Sequence, residues 1–295
     1  MLTLAYVCVG EQGVPNVVAV RQLGGDEERS VRADKAILNR FWSDNLPTTI
    51  VQLNLIDLKE TLDDFRERHR VEPRIFESSQ RLEYQLQHVN RLLMNFLSSA
   101  RSFFDHTASR LAHNHPELVA VFDRVRKTAY DESFSYRLME NLRNYAQHAM
   151  VPIMAFRGER HQDSPSATAI MTDFSFLIRR ADLLKSKKLQ SRVRVELQAQ
   201  PEAFDFLPHA EEYGARLFSI NVRLLRRLLP DVAAAAHRLK AVLDEVTPLG
   251  FPLLCNIERR ADDITFSQID IPFRSIELAI TIDALIVETA WSDED

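Results

Sequence analysis

Residues 75–111 contain neither proline nor glycine, and no other stretch constrains the fold as much. Proline removes a backbone donor and glycine frees the backbone, so a long run lacking both can stay helical. At 1.5 Å per residue the run makes a rod of roughly 50 Å. Val89, Leu93, Phe96, Ala100, Phe103 and Thr107 alternate along it in steps of four and three, the spacing of a packed helical seam. Asn114-His115-Pro116 ends the rod, because proline suits a helix start and not an interior. Residues 117–130 and 131–150 read as helices folding back on it, with Asp131 as N-cap of the second. Pro152 closes that helix. The seam offers more apolar surface than one short helix covers, so a homodimer through this region is expected.

The flanks read differently. Only 7 glycines in 295 residues mean few tight turns and favour helices throughout. Residues 2–9 and 17–21 are strand-like, with a turn signal at 10–13, and 36–42 is a short helix. Residues 49–55 return to strand, and Asp57 is placed to cap a helix over 58–69 that the Pro73 region breaks. Beyond the centre, Thr168, Ile170, Thr172, Phe174 and Phe176 alternate as a strand. Helical runs occupy 181–199 and 208–246, the second interrupted near Pro230. A hairpin links 252–257 to 264–271 through Arg259 to Asp263. The fold class is α+β, predominantly α. A central antiparallel helical bundle with a long helix (74–150) lies between a small N-terminal α/β segment (1–73) and a C-terminal α+β segment (151–295).

Charge and cysteine usage narrow the function. A net charge of −5 argues against a broad basic surface that holds nucleic acid by counterion release. Local clusters exist at Arg179-Arg180, 185–188, 192–194 and 223–227, either as solvated helix faces or as one assembled patch. Cys8 and Cys255 are the only cysteines, two isolated thiols that fit a reducing compartment. No basic region precedes the N-terminal apolar stretch. The best membrane-spanning stretch, 276–287, is too short and carries Glu277 and Asp283. A cytoplasmic protein with no membrane partner is expected. Gly10, Gly13, Gly24 and Gly25 lack the flanks of a dinucleotide loop. Asp105, His106, His113 and His115 lack metal-ligand spacing, so neither a metal nor a cofactor is expected. Arg101 reads as an exposed stripe, and Phe103, Phe104, Phe174 and Phe176 as core.

One stretch offers chemistry: Glu140-Asn141-Leu142-Arg143-Asn144-Tyr145-Ala146-Gln147-His148. It supplies a fixed cation for a phosphate, an amide to hold a ligand, and an imidazole that titrates near neutral pH. Relaxed to an arginine, four to six residues and a histidine, the pattern recurs at Arg81/His88, Arg101/His106 and Arg110/His115, so the spacing carries little by itself. At about 100° per residue, Leu138, Leu142, Tyr145, Ala146 and Ala149 share one helix face. Arg137, Glu140, Asn144, Gln147 and His148 share the other, with Arg143 at its edge. Arg137, Glu140 and Gln147 are thus supporting residues or plain surface pairs. Asn144 and His148 are one turn apart, whereas Arg143 and His148 diverge by roughly 140°. Their joint action needs a bulge, a long reach or a second subunit. The competing structural reading is a polar face held by ion pairs to Glu140, one turn earlier.

The Arg143-Asn144-x-x-x-His148 string, late in a helix after a long helical hairpin, resembles the HEPN superfamily of all-helical bundles. The segment 130–148 is similar to bacterial proteins of this type, and the resemblance spans about 75–150. It implies a metal-independent endoribonuclease, a toxin or antiviral effector, cutting RNA by 2′-hydroxyl attack in a dimer whose motifs face one cleft. By position, Arg143 would hold the scissile phosphate, Asn144 would orient the site, and His148 would be the general acid or base. RNA and an antitoxin or defence-system component are the implied partners. Members that have lost catalysis imply the alternative, a non-catalytic RNA-, nucleotide- or protein-binding helical module. A helical scaffold that mediates assembly is a third reading.

Overall fold

A computed structural model describes residues 1–10, 13–70, 78–148, 150–161, 171–260 and 263–288. The chain is predominantly helical and α+β, with eight helices and two small antiparallel sheets among the described residues. It divides into two compact units built from segments distant in sequence. One comprises 1–45 and 225–295, the other 46–224. Neither limit coincides with residues 73/74 or 150/151.

The first unit is a four-stranded sheet faced by helices. β1 (Leu2–Val9) lies between β2 (Pro15–Gln22) and β6 (Phe251–Arg260), and β6 pairs in turn with β7 (Asp263–Ile269). The expected hairpin between residues 252 and 271 is therefore present. Leu2, Leu4 and Leu254 project from one sheet face into a core with Leu38, Ala235, Leu239 and Ile276. These come from α1 (Gly25–His69), α7 (Leu207–Asp244) and α8 (Phe273–Glu288). Apolar burial is the main stabilising term, about 25 cal/mol per Å² removed from water. One charge is set into this unit. Asp34, 3% exposed, accepts from the Arg238 Nη2 at 2.6 Å and Nε at 3.1 Å. Among the described residues no helix is long and apolar enough to cross a membrane.

Three expected breaks are absent. Residues 49–55, read as a strand, lie inside α1, and Asp57 caps nothing. The β-branched run Thr48-Thr49-Ile50-Val51 favours strand locally. Yet Val51, Leu58, Leu62 and Phe65 recur at helical spacing and are all at most 4% exposed, so packing overrides propensity. α1 also contains Pro47, and α7 runs unbroken through Pro230. Each proline removes one rung of its ladder without ending the helix. The converse error lies at 181–199, where α5 (Arg180–Leu184) and α6 (Ser191–Gln198) replace one helix. Arg194 caps the break by donating to the Leu184 and Ser186 carbonyls, each at 2.7 Å.

The second unit holds α2 (Ser79–Asn114), α3 (Pro116–Glu132) and α4 (Phe134–His148), each packed against the other two. It also holds a sheet of β3 (Ile153–His161), β4 (Met171–Arg179) and β5 (Ala203–Asp205). Thr168 and Ile170 of the expected strand lie outside the described residues. β3, with no clean alternation of apolar side chains, was not foreseen. The α2 seam is buried along its whole length, every residue from Val89 to Thr107 in the four-three series being at most 1% exposed. That surface is covered within one chain, so the seam itself does not require a second copy.

Gly250, just before β6, shows how tightly the first unit is drawn together. A Cβ there would meet the Val7 carbonyl oxygen at 2.4 Å and the Tyr6 ring at 2.8 Å. Gly250→Ala must push backbone, and a loss of roughly 1–3 kcal/mol is expected. Urea denaturation measures it; an unchanged midpoint would contradict the close approach.

Candidate functional site

α4 is anchored at its start by hydroxyls. Ser133, rather than Asp131, caps it, accepting from the Tyr136 amide at 3.0 Å. Asp131 belongs to the end of α3 and meets Arg192 at 3.4 Å. The Ser133 and Ser135 hydroxyls donate to the Glu212 carboxylate of α7 at 2.5 and 2.6 Å, and the His209 Nδ1 lies 2.8 Å from Ser135. Burial works against the Glu212 charge, but the two hydroxyls, Arg216 and His209 outweigh it and hold the carboxyl below its usual range. Burial pushes the His209 imidazole down. Ser135 is 4% exposed, so this serine–histidine–glutamate set is an internal tie and not an accessible nucleophile.

One turn on, Arg137 departs from the polar face to which the helical wheel assigned it. It is 3% exposed. Its Nη2 and Nε meet the Glu196 carboxylate of α6 at 2.6 and 3.0 Å. Its Nη1 donates to the Asp131 carbonyl at 2.9 Å and to that of Tyr130. Those are the last carbonyls of α3, groups a helix leaves unpaired. The planar fork thus ties α3, α4 and α6 together, which an ammonium could not reproduce. Asn141, which the wheel did not single out, does similar work. Buried, it donates to the Arg137 carbonyl at 2.8 Å and accepts from the Gln190 amide at 3.1 Å. Glu140 accepts from the buried Tyr213 hydroxyl and makes no ion pair with Arg143 among the described residues.

The remaining residues point outward. Asn144, Gln147 and His148 are exposed and Arg143 is half-buried, while Leu138 and Leu142 on the opposite side are at most 1% exposed. Arg143 makes no ion pair among the described residues; Nη1 lies 3.5 Å from the Asn144 Oδ1, and Nε is buried without a hydrogen-bond partner. Four of the nearby basic residues are committed. Arg180 donates to the Gln198 and Gln200 carbonyls, Arg192 and Lys185 pair with Asp131 and Asp182, and Arg194 caps α5. α4 is regular α-helix from Phe134 to His148. The bulge that would bring Arg143 beside His148 is not there, and the roughly 140° separation stands.

The weaker signals resolve as structure. Arg101 pairs with Asp105 at 2.8 Å and His115 lies 3.5 Å from Glu117. Among the described residues no group of three histidine, cysteine or acidic side chains is arranged to hold a metal ion. Cys8 and Cys255 are free thiols. No protein-family model, no curated protein and no solved structure matches the chain. The likeness to the HEPN superfamily therefore stands on the motif residues alone.

The two faces of α4 should separate by stability. Arg137→Ala removes a donor from Glu196 and from the Tyr130 and Asp131 carbonyls, though Glu196 is partly exposed with Arg192 3.7 Å away and the Asp131 carbonyl keeps the Arg192 Nη2 at 2.8 Å. A loss toward the lower end of roughly 3–5 kcal/mol is expected. Leu142→Ala should cost about 2–5 kcal/mol, and His148→Ala about 0.5 kcal/mol or less. Chemical denaturation of the three variants checks this. A cost for His148→Ala matching that of Leu142→Ala would place His148 in the core.

Proposed function

We propose that the outward face of α4 binds RNA phosphodiesters and cleaves them without a metal, as a HEPN-type endoribonuclease in which α2, α3 and α4 form an antiparallel bundle. The observation that carries this reading is the uncommitted guanidinium of Arg143. The neighbouring basic side chains named above are paired with carboxylates or backbone carbonyls, while Arg143 has no ion pair among the described residues, reaches only the exposed Asn144 amide, and shares its helix with the exposed His148 imidazole. RNA carries its own 2′-hydroxyl nucleophile. Cleavage then needs a proton acceptor, a proton donor and a cation at the phosphorane oxygens. Arg143 supplies the cation, Asn144 orients the phosphate, His148 moves the proton, and Gln147 borders the strand.

The regular helix gives this reading a geometric consequence. One α4 holds Arg143 and His148 on diverging directions, so the working pair consists of Arg143 from one copy and His148 from another. A homodimer with two α4 faces on one cleft meets that requirement. The same divergence favours a second reading, in which a single α4 face binds RNA and cuts nothing.

Purified protein incubated with bulk RNA in excess chelator tests both. Products ending in 2′,3′-cyclic phosphate are expected, and Arg143→Ala and His148→Ala should each abolish them, with the double variant no worse than either. Arg143→Lys should not restore activity. Mixing the two inactive alanine variants should recover part of it, because each lends the other its missing residue. Undiminished cleavage by His148→Ala contradicts the catalytic reading. RNA binding without cleavage, weakened by Arg143→Ala, supports the second.

A further inference from the structure

A cleft of about 300 Å³ lies between the last turns of α1 and the first turns of α2, outside the α4 face. Its volume is at the lower end of the roughly 300–1,000 Å³ spanned by small-molecule sites, so its ligand is small. Four rings line it. Phe65 and His69 come from α1 with centroids 4.8 Å apart, and Tyr84 and His88 from α2 at 6.2 Å. Phe65 is a buried floor at 4% exposure, whereas Tyr84 stands 63% exposed at the rim. A half-open cleft walled by rings offers π-faces to a planar guest.

The polar groups narrow the guest further. Gln85 carries an amide with both donor and acceptor capacity, and Thr61 adds a hydroxyl. Arg68 and Asp64 close on each other at 3.0 Å, so among the described lining residues no arginine or lysine is left unpaired to attract a free inorganic anion. Burial, with the nearby Arg91, pushes the His88 imidazole below its usual range. It therefore favours the neutral ring, a donor at one nitrogen and an acceptor at the other. An electrically balanced cleft with aromatic walls and paired donors and acceptors suits a planar heterocycle, and such a heterocycle both stacks and hydrogen-bonds along its edge.

We propose that this cleft binds a nucleobase, stacked on Tyr84 with its edge paired to Gln85. The site is separate from the α4 face and does not depend on the function assigned to it. The base arrives either as a free nucleotide or as an unpaired base of a single-stranded RNA.

Calorimetric titration of the full chain with each of the four ribonucleoside 5′-monophosphates, and with a short single-stranded RNA of mixed sequence, tests the proposal. Saturable binding of at least one probe is expected. Stacking on a single ring is large enough that Tyr84→Ala should weaken it about tenfold or more, and Gln85→Ala should weaken it too. Both changes are at the cleft surface, and unchanged unfolding midpoints verify the fold. Binding of a monophosphate identifies a free nucleotide as the guest; binding of the RNA alone identifies a base presented by a strand. If no probe binds, or if both variants bind as the unmodified protein does, the proposal is overturned. RNA binding that responds to Arg143→Ala and not to Tyr84→Ala overturns this site while leaving the α4 reading intact.

Discussion

The orientation of α4 depends on where the Arg137 guanidinium goes. Buried and bonded to Glu196 and to the last carbonyls of α3, it fixes the rotation of the helix about its own axis. A group with five donors in a rigid plane can satisfy a carboxylate and two carbonyls together. Buried without those partners, the same charge would be strongly unfavourable. Asn141, one turn further on, adds a second tie through the Gln190 amide. With positions 137, 138, 141 and 142 held inward, positions 143, 144, 147 and 148 must face outward. Two arginines six residues apart therefore have opposite fates. One is internal scaffolding, and the other is left without a counter-charge.

That distinction was invisible in the sequence. The helical wheel placed Arg137 with Asn144 and His148 because it treats charge as a proxy for exposure. Arginine breaks that rule whenever a carboxylate arrives from elsewhere in the chain, here from residue 196. The wheel did find the apolar side of α4, and the four-three spacing found the α2 seam residue by residue. Both succeed because apolar burial repeats at the helical period and needs no distant partner. Thr48 to Val51 failed for the opposite reason. Local β-branching pointed one way, and the burial of Val51, Leu58, Leu62 and Phe65 at helical spacing decided the other. Pro47 and Pro230 likewise cost a hydrogen bond each, which helices of this length absorb.

The internal pairings also bear on how a chain of net charge −5 would meet an anion as proposed. Counting arginines and lysines suggests several basic clusters, but Arg180, Lys185, Arg192 and Arg194 within them close helix ends or pair with carboxylates. A cation spent on a carbonyl is locked in place and has few donors left for a ligand. Arg143 differs: Glu140, its expected partner one turn back, meets the Tyr213 hydroxyl and not Arg143. What remains on α4 is one guanidinium without a counter-charge among the described residues, an amide next to it, and an imidazole on a diverging direction of the same helix. Under the proposed reading it would be a small site and not a broad electrostatic surface, with recognition resting on geometry more than on counterion release.

The central claim is that Arg143, Asn144 and His148 form a face that meets RNA while Arg137 and Asn141 do not. The most direct measurement is the NMR response of the side chains to a short 2′-O-methylated RNA, which lacks the nucleophile and cannot be cut. The account predicts saturable shifts of the His148 ring protons and the Asn144 side-chain amide, with the Asn141 amide and the Arg137 guanidinium signals unmoved. RNA that binds without moving His148 and Asn144, or that fails to bind at all, would contradict it.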